Sequence, residues 1–161
     1  MANKRISKDE YYLQIARAVA SRSTCLRRRY GAIIVKEDQI VATGYNGAPR
    51  GRENCIDLGK CFREENLIPP GSNYELCRAV HAEMNAILHA GRKNTIGSTL
   101  YLYGEEVTSG KATERWHPCI ICARLIINAG ISRIVTLDRG KVTEIYPQQL
   151  QIVVTPPDEK I

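Results

Sequence analysis

Apolar residues recur at helical spacing near the start of the chain. Leu13, Ala16, Val19 and Ala20 share one stripe and predict a helix over residues 8–23. The pattern then shortens into β-branched and aromatic runs at 30–35 and 39–44, which predict two strands. Only Lys36, Glu37 and Asp38 separate them, so the pair reads as a hairpin. From 47 to 73 the apolar signal gives way to Gly, Pro, Arg and Glu, with Pro69-Pro70-Gly71 as a hard break. A loop of that length inside a compact domain is functional or tied down.

A second helix is predicted over 81–90, ended by Gly91, and a strand over 99–103. The stretch 104–116 is again polar and turn-rich. Residues 118–129 predict a third helix, whose first-turn Pro118 and closing Gly130 fit the preferences for helix starts and stops. A strand at 133–137, a short helix at 143–149 and a last strand at 151–155 complete the pattern. The alternation predicts an α/β protein: a three-layer α/β/α sandwich around a mixed five-stranded sheet.

With 161 residues, the chain has room for one domain, expected to span 1–161. Charged residues at 25% and hydrophobic ones at 43% exclude a disordered tail, a coiled coil and a collagen. Aliphatic runs such as 32–35 are far short of a membrane span. Residues 1–10 are polar and lack the apolar core of a signal peptide, so a cytoplasmic location is expected, with no membrane partner. The net charge of +6 is concentrated at one end. Residues 1–30 carry eight Lys or Arg against Asp9 and Glu10, which leaves fifteen of each sign in the remainder. A basic end on a neutral body suits nucleic acid or small phosphorylated ligands, and equally a solvated helix face.

Six cysteines in a reducing compartment point to metal ligands, nucleophiles or core residues rather than disulfides. His81-Ala82-Glu83 opens one predicted helix and Pro118-Cys119-Ile120-Ile121-Cys122 opens another. Cys119 and Cys122, three apart in a first turn, share a face where the helix dipole favours thiolate. Two thiolates and one imidazole make three zinc ligands and leave the fourth tetrahedral position open, the mark of a catalytic site. Glu83, two positions after the histidine, is placed to act as a general acid and base without being a ligand. Either half alone is weak: a lone C-x-x-C fits a redox pair or a structural zinc knuckle equally well. The combination of H-x-E with P-C-x-x-C is the known signature of zinc-dependent nucleobase deaminases.

On these residues the chain resembles the cytidine and deoxycytidylate deaminase family, and most of all its deoxycytidylate branch. The matching segments include Thr24-Cys25, Tyr30-Gly31-Ala32-Ile33-Ile34-Val35, Thr43-Gly44-Tyr45-Asn46-Gly47-Ala48-Pro49, His81-Ala82-Glu83-Met84-Asn85-Ala86-Ile87 and Pro118-Cys119-Ile120-Ile121-Cys122-Ala123. The resemblance implies hydrolytic deamination of dCMP to dUMP and ammonia, which supplies dUMP for thymidylate synthesis. Water activated on zinc would attack C4 of cytosine while Glu83 protonates N3. It further implies that Asn46 binds the sugar; a turn residue with a left-handed backbone beside Gly47 is the competing reading. It implies a second, structural zinc with ligands at Cys25 and Cys55, and Cys61 and Cys77 are available to complete a closed four-cysteine set; buried free thiols are the competing reading. Regulation by dCTP or dTTP with magnesium, and a homo-oligomer, commonly a hexamer, are implied as well. Arg27, Arg28, Arg29 and Arg50 flank the Asn46 loop and are candidates for binding phosphate. The segment 104–116 is longer than the family's usual connection, which puts phosphate recognition there in question. The alternatives are another cytosine nucleotide or nucleoside, or tRNA or single-stranded DNA; the neutral body and the single Phe and single Trp count against a nucleic acid.

Overall fold

The structure, a computed structural model, describes residues 4–154. Ser7 starts helix α1 (Lys8–Ala20) with a reciprocal cap: Glu10 N–H donates to Ser7 Oγ at 3.1 Å and Ser7 N–H donates to Glu10 Oε2 at 2.8 Å. The helix ends at Ala20, three residues before the predicted stop, because residues 21–27 turn back to enter the sheet. Strands β1 (Arg28–Lys36) and β2 (Gln39–Tyr45) form the expected hairpin. Its two-residue turn places Glu37 at φ 50° and Asp38 at φ 61°, the left-handed pair that matches the twist of the flanking strands.

The loop after β2 contains two single-turn helices, α2 (Cys55–Leu58) and α3 (Phe62–Glu65). Helix α4 (Ala82–Ala90), the short α5 (Arg92–Thr95), strand β3 (Thr99–Glu106), helix α6 (Ile120–Asn128) and strand β4 (Arg133–Asp138) follow. Strand β3 extends into the segment expected as an insertion. The remainder of that segment folds back on it, with Glu106 N–H donating to Lys111 O at 2.9 Å and Thr113 N–H to Gly104 O at 2.9 Å.

The C-terminal part differs from expectation. Instead of a helix over 143–149, the chain forms strand β5 (Lys141–Ile145), antiparallel to β4, followed by one 3-10 turn (Pro147–Gln149). Arg139 and Gly140, at φ 48° and 81°, make a second left-handed hairpin turn, and Val142, Thr143 and Ile145 are β-branched. Residues 151–154 belong to no strand; Thr155, the end of the predicted one, lies outside the described residues.

The five strands lie in the order β2-β1-β3-β4-β5, with β3 and β4 parallel and every other pair antiparallel. Side chains alternate between two apolar layers. Ile33, Val35, Tyr101, Tyr103 and Val135 meet Tyr12, Leu13, Ala16 and Ala20 of α1. Ala32, Ile34, Leu100, Leu102 and Ile134 meet α4 and α6 on the other face. The expected three-layer α/β/α sandwich with a mixed five-stranded sheet is what forms.

Glycines set how closely the helices approach. A Cβ on Gly31 would sit 2.1 Å from Ala16 O in α1, and one on Gly44 would sit 2.3 Å from Ala86 N in α4. Any side chain at either site would push a helix off the sheet.

Arg133 on β4 reaches across the edge to α1 and donates to Asp9 Oδ1 at 3.1 Å and Oδ2 at 2.6 Å; Tyr101 Oη also donates to Asp9 at 2.7 Å. The hydrogen bond from Arg133 holds the Asp9 carboxyl below the usual carboxylate range despite partial burial. A lowered folded-state pKa contributes stability above the unfolded value of about 3.9, and the contribution is lost as pH falls through the folded pKa. Asp9→Asn should therefore lower stability by about 1 kcal/mol at pH 7, with the gap to the parent closing below about pH 4. Thermal denaturation of both proteins between pH 7 and 3 checks this; a gap that persists in acid would show that the tie is not ionic.

Candidate active site

Helices α4 and α6 begin side by side, and each begins on a residue of the motif. His81 is the residue capping α4 and Cys119 the residue capping α6, where Cys122 N–H donates to Cys119 Sγ at 3.4 Å. His81 Nδ1 lies 3.5 Å from Cys119 Sγ and 3.4 Å from Cys122 Sγ. The three donor atoms fall within 4.8 Å of one another, the only such group among the described residues. With Zn–N near 2.0 Å and Zn–S near 2.3 Å, a tetrahedral site puts nitrogen and sulfur ligands about 3.6 Å apart. The observed spacing fits that ion.

Glu83 sits in the first turn of α4, buried at 5% exposure. Burial pushes its carboxyl above the usual carboxylate range, against the opposing pull of His81. The two thiols divide their protons unequally. The hydrogen bond with Cys122, outweighing burial, brings Cys119 down to about 4, and the same bond together with burial holds the Cys122 proton. Burial alone would lower His81; its contact with Cys119 and the Glu83 charge override that and raise it. The arrangement readily yields one thiolate beside an imidazole.

An open cleft of about 1000 Å³, counting the solvent within it, has His81, Glu83 and Cys119 among its walls. The tie from α4 to the sheet runs through Asn85, whose Nδ2 donates to Tyr45 O at 2.9 Å. Asn46 also lines the cleft, but its side chain is occupied: Tyr30 N–H donates to Oδ1 at 2.8 Å, and Nδ2 donates to Arg28 O at 3.0 Å. It is absent from the residues with positive φ, so the left-handed turn reading is corrected: Asn46 extends the β1–β2 pairing through its side chain.

Arg27, Arg28 and Arg29 are ion-paired with Glu64, Glu106 and Glu105, and Arg29 and Arg50 do not line the cleft. Cys25, Cys55, Cys61 and Cys77 share one wall of it, yet no three of their sulfurs come within 4.8 Å. As placed, they do not form a compact four-ligand set. Cys25 Sγ nevertheless accepts from Arg27 N–H at 3.4 Å, a turn in which a backbone amide supports the sulfur two residues earlier.

Sequence reasoning missed three cleft residues. Arg63, on α3 and buried at 5% exposure, donates to Asn73 O at 2.5 Å, Ser72 O at 2.7 Å and Pro69 O at 3.0 Å, and so holds the long loop together. Tyr74 stacks edge-on against the His81 imidazole, with centroids 5.3 Å apart. Arg115 enters the cleft from the folded-back segment after β3. All three come from the two long connections, where single turns of helix are too short for periodicity to mark a residue; the one clue is the length of the connections themselves. His117 is exposed and also lines the cleft. Trp116 is half-buried, with its carbonyl accepting from Thr136 Oγ1 at 2.9 Å, and anchors the folded-back segment.

Fold and donor set together point to a class: an α/β enzyme with a candidate metal site at the meeting of two helix starts. The model of the cytidine and deoxycytidylate deaminase zinc-binding region matches residues 6–138, and the chain belongs to that family. It is 41% identical over 131 residues to a deoxycytidylate deaminase of Mycobacterium phage D29, covering 79% of this chain and 91% of that one. A deoxycytidylate deaminase of Saccharomyces cerevisiae is 39% identical over 81% of this chain, which spans 38% of the yeast protein. Among solved structures, dCMP deaminase from the cyanophage S-TIM5 in complex with dCMP and dUMP matches with a TM-score of 0.55 and 28% identity, over 81% of this chain and 82% of that one. Among the described residues no helix is long and apolar enough to cross a membrane.

If Asn46 is held by β1 as the geometry indicates, Asn46→Ala removes two buried hydrogen bonds and strands their backbone partners. The expected loss is about 2–3 kcal/mol of stability, read as a lower midpoint in urea denaturation. An unchanged midpoint would place its contribution in ligand binding instead.

Proposed function

We propose that the chain catalyses the hydrolytic deamination of dCMP to dUMP and ammonia. The observation that carries this reading is a buried glutamate with a raised pKa, set beside a His/Cys/Cys donor group and lining an open cleft. The identity to phage and yeast deoxycytidylate deaminases supports the substrate. The ion pairs of Arg27, Arg28 and Arg29 take up the run of three consecutive basic side chains, which favours a small molecule over a polynucleotide.

His81, Cys119 and Cys122 would hold the zinc. Bound there, zinc supplies a water acidic enough to act as a nucleophile at neutral pH. The remaining work is done by the protein. Glu83 is held at the start of α4 with its carboxyl buried, so it gains a proton readily and gives it up only to a base close by. It takes the proton released as water adds to C4 of the ring and delivers it to N3. It then takes the second proton of the added water from the C4 hydroxyl and passes it to the 4-amino group, which leaves as ammonia as the C4 carbonyl forms. Tyr74, edge-on to His81, fixes the imidazole plane. Burial of Glu83 keeps the proton it has taken from being lost to bulk water before it reaches the ring.

A second, structural zinc at Cys25, Cys55, Cys61 and Cys77 is part of this reading. It is supported by the gathering of all four thiols on one wall and by the amide contact to Cys25; full ligation requires the 47–73 loop to draw inward.

Purified protein should deaminate dCMP in preference to CMP, deoxycytidine and dCTP. Glu83→Ala should keep its fold and its metal while losing about 1000-fold or more in kcat, measured by ammonia release beside zinc content. Metal analysis should return two zinc per chain, falling to one in Cys55→Ser. A Glu83→Ala protein that loses zinc or unfolds would reveal a structural role and remove the proton-transfer assignment.

A further inference from the structure

Four arginines line the cleft, and three of them are already engaged. Arg27 pairs with Glu64 at 3.4 Å, Arg28 pairs with Glu106 at 2.7 Å, and the Arg63 guanidinium donates to three backbone carbonyls. Arg115 stands apart. Among the described residues its guanidinium has neither a carboxylate nor a carbonyl partner. Its backbone, in contrast, is fixed: Arg115 N–H donates to Thr113 Oγ1 at 3.1 Å, and Arg115 O accepts from Tyr30 Oη at 2.9 Å. Thr113 is itself buried and donates to Glu106 Oε1 at 2.7 Å.

Opposite Arg115 is Gly71, at φ +86°, where an added Cβ would come 3.4 Å from Arg115 Nη1. The absence of a side chain there leaves space for the guanidinium over the cleft. A charged fork held by a pinned backbone, with its donors unspent, is a poor structural element and a good ligand for a planar pair of anionic oxygens. Glu83 marks the buried end of the same cleft and Arg115 its exposed end. A ligand with a neutral ring at one end and a phosphate monoester at the other matches that polarity.

We propose that Arg115 is the specificity-determining residue that selects a nucleoside monophosphate over the nucleoside, by taking the 5′-phosphate at the open end of the cleft. The inference rests on the dCMP reading above. It also assigns a use to the chain between β3 and α6, the segment whose length departs from the resemblance.

The test compares the parent, Arg115→Ala and Arg115→Lys on dCMP and on deoxycytidine, with calorimetric binding of dUMP and deoxyuridine alongside. Arg115→Ala should lose about 30-fold in kcat/KM on dCMP, mostly through KM, and change by no more than about 2-fold on deoxycytidine. Arg115→Lys, which keeps the charge but loses the fork, should fall between. An equal loss on both substrates, or no loss on dCMP, overturns the assignment. If the parent turns over no cytosine compound, the activity reading fails by itself. Binding then still decides the inference: a preference for dUMP over deoxyuridine that Arg115→Ala abolishes upholds the phosphate contact, and no preference overturns it.

Discussion

The structure depends on how closely α4 lies against the sheet. Gly44 offers no side chain, and the face of α4 toward it is Ala82, Ala86 and Ala90, so helix and strand backbones nearly touch. Helix α6 packs on the same sheet face through Cys122, Ile126 and Ala129. Two helices resting on one rigid surface at fixed height leave little freedom in how their first turns meet. Because His81 and Cys119 are the capping residues of those turns, the backbone packing sets the donor spacing before any metal arrives. The site is a property of the core as much as of its own side chains.

The same placement explains the electrostatics. Both first turns point unpaired N–H groups at the cluster, which favours negative charge there. Cys119 uses this directly by accepting from the Cys122 amide. Glu83 lies in the first turn of α4 as well, yet its carboxyl is raised, because burial outweighs the attraction of His81. One helix-start cluster therefore favours the thiolate at Cys119, through its hydrogen bonds, and the protonated form at Glu83, through burial.

The motif residues were legible in sequence because each is local: a histidine, a glutamate two residues on, and a C-x-x-C, all at helix starts with readable caps. The sheet core was legible through the aliphatic runs at Ala32–Val35 and 99–103. The last strand was not. Arg139-Gly140 is a turn of the same kind as Glu37-Asp38, but the charged residues around it weaken the alternation of β5, and a helix was the expectation. Asn46 was read as a sugar ligand or a turn residue because sequence shows its polarity but not the β1 amide that claims it. Likewise the arginine run looked like an anion site because its acidic partners are distant in sequence: Arg27 meets Glu64 on α3, and the antiparallel register of β1 with β3 brings Glu106 and Glu105 to Arg28 and Arg29.

What the fold leaves variable is the mouth of the cleft. The floor is built from two helices that cannot move without disturbing the apolar layer they share with the sheet. The rim comes from the loop after β2, gathered around Arg63, and from the segment folded back on β3, pinned by Tyr30, Thr113 and Thr136. These two pieces face each other at Gly71 and Arg115. Neither contributes a donor to the His81 cluster, and apart from Tyr74, which packs edge-on against His81, their length and charge can change without altering the chemistry at the floor. A cleft assembled in this way separates reaction from recognition. The packed helices decide what happens to the ring, and the two loops decide which ring-bearing molecule is held there long enough to react.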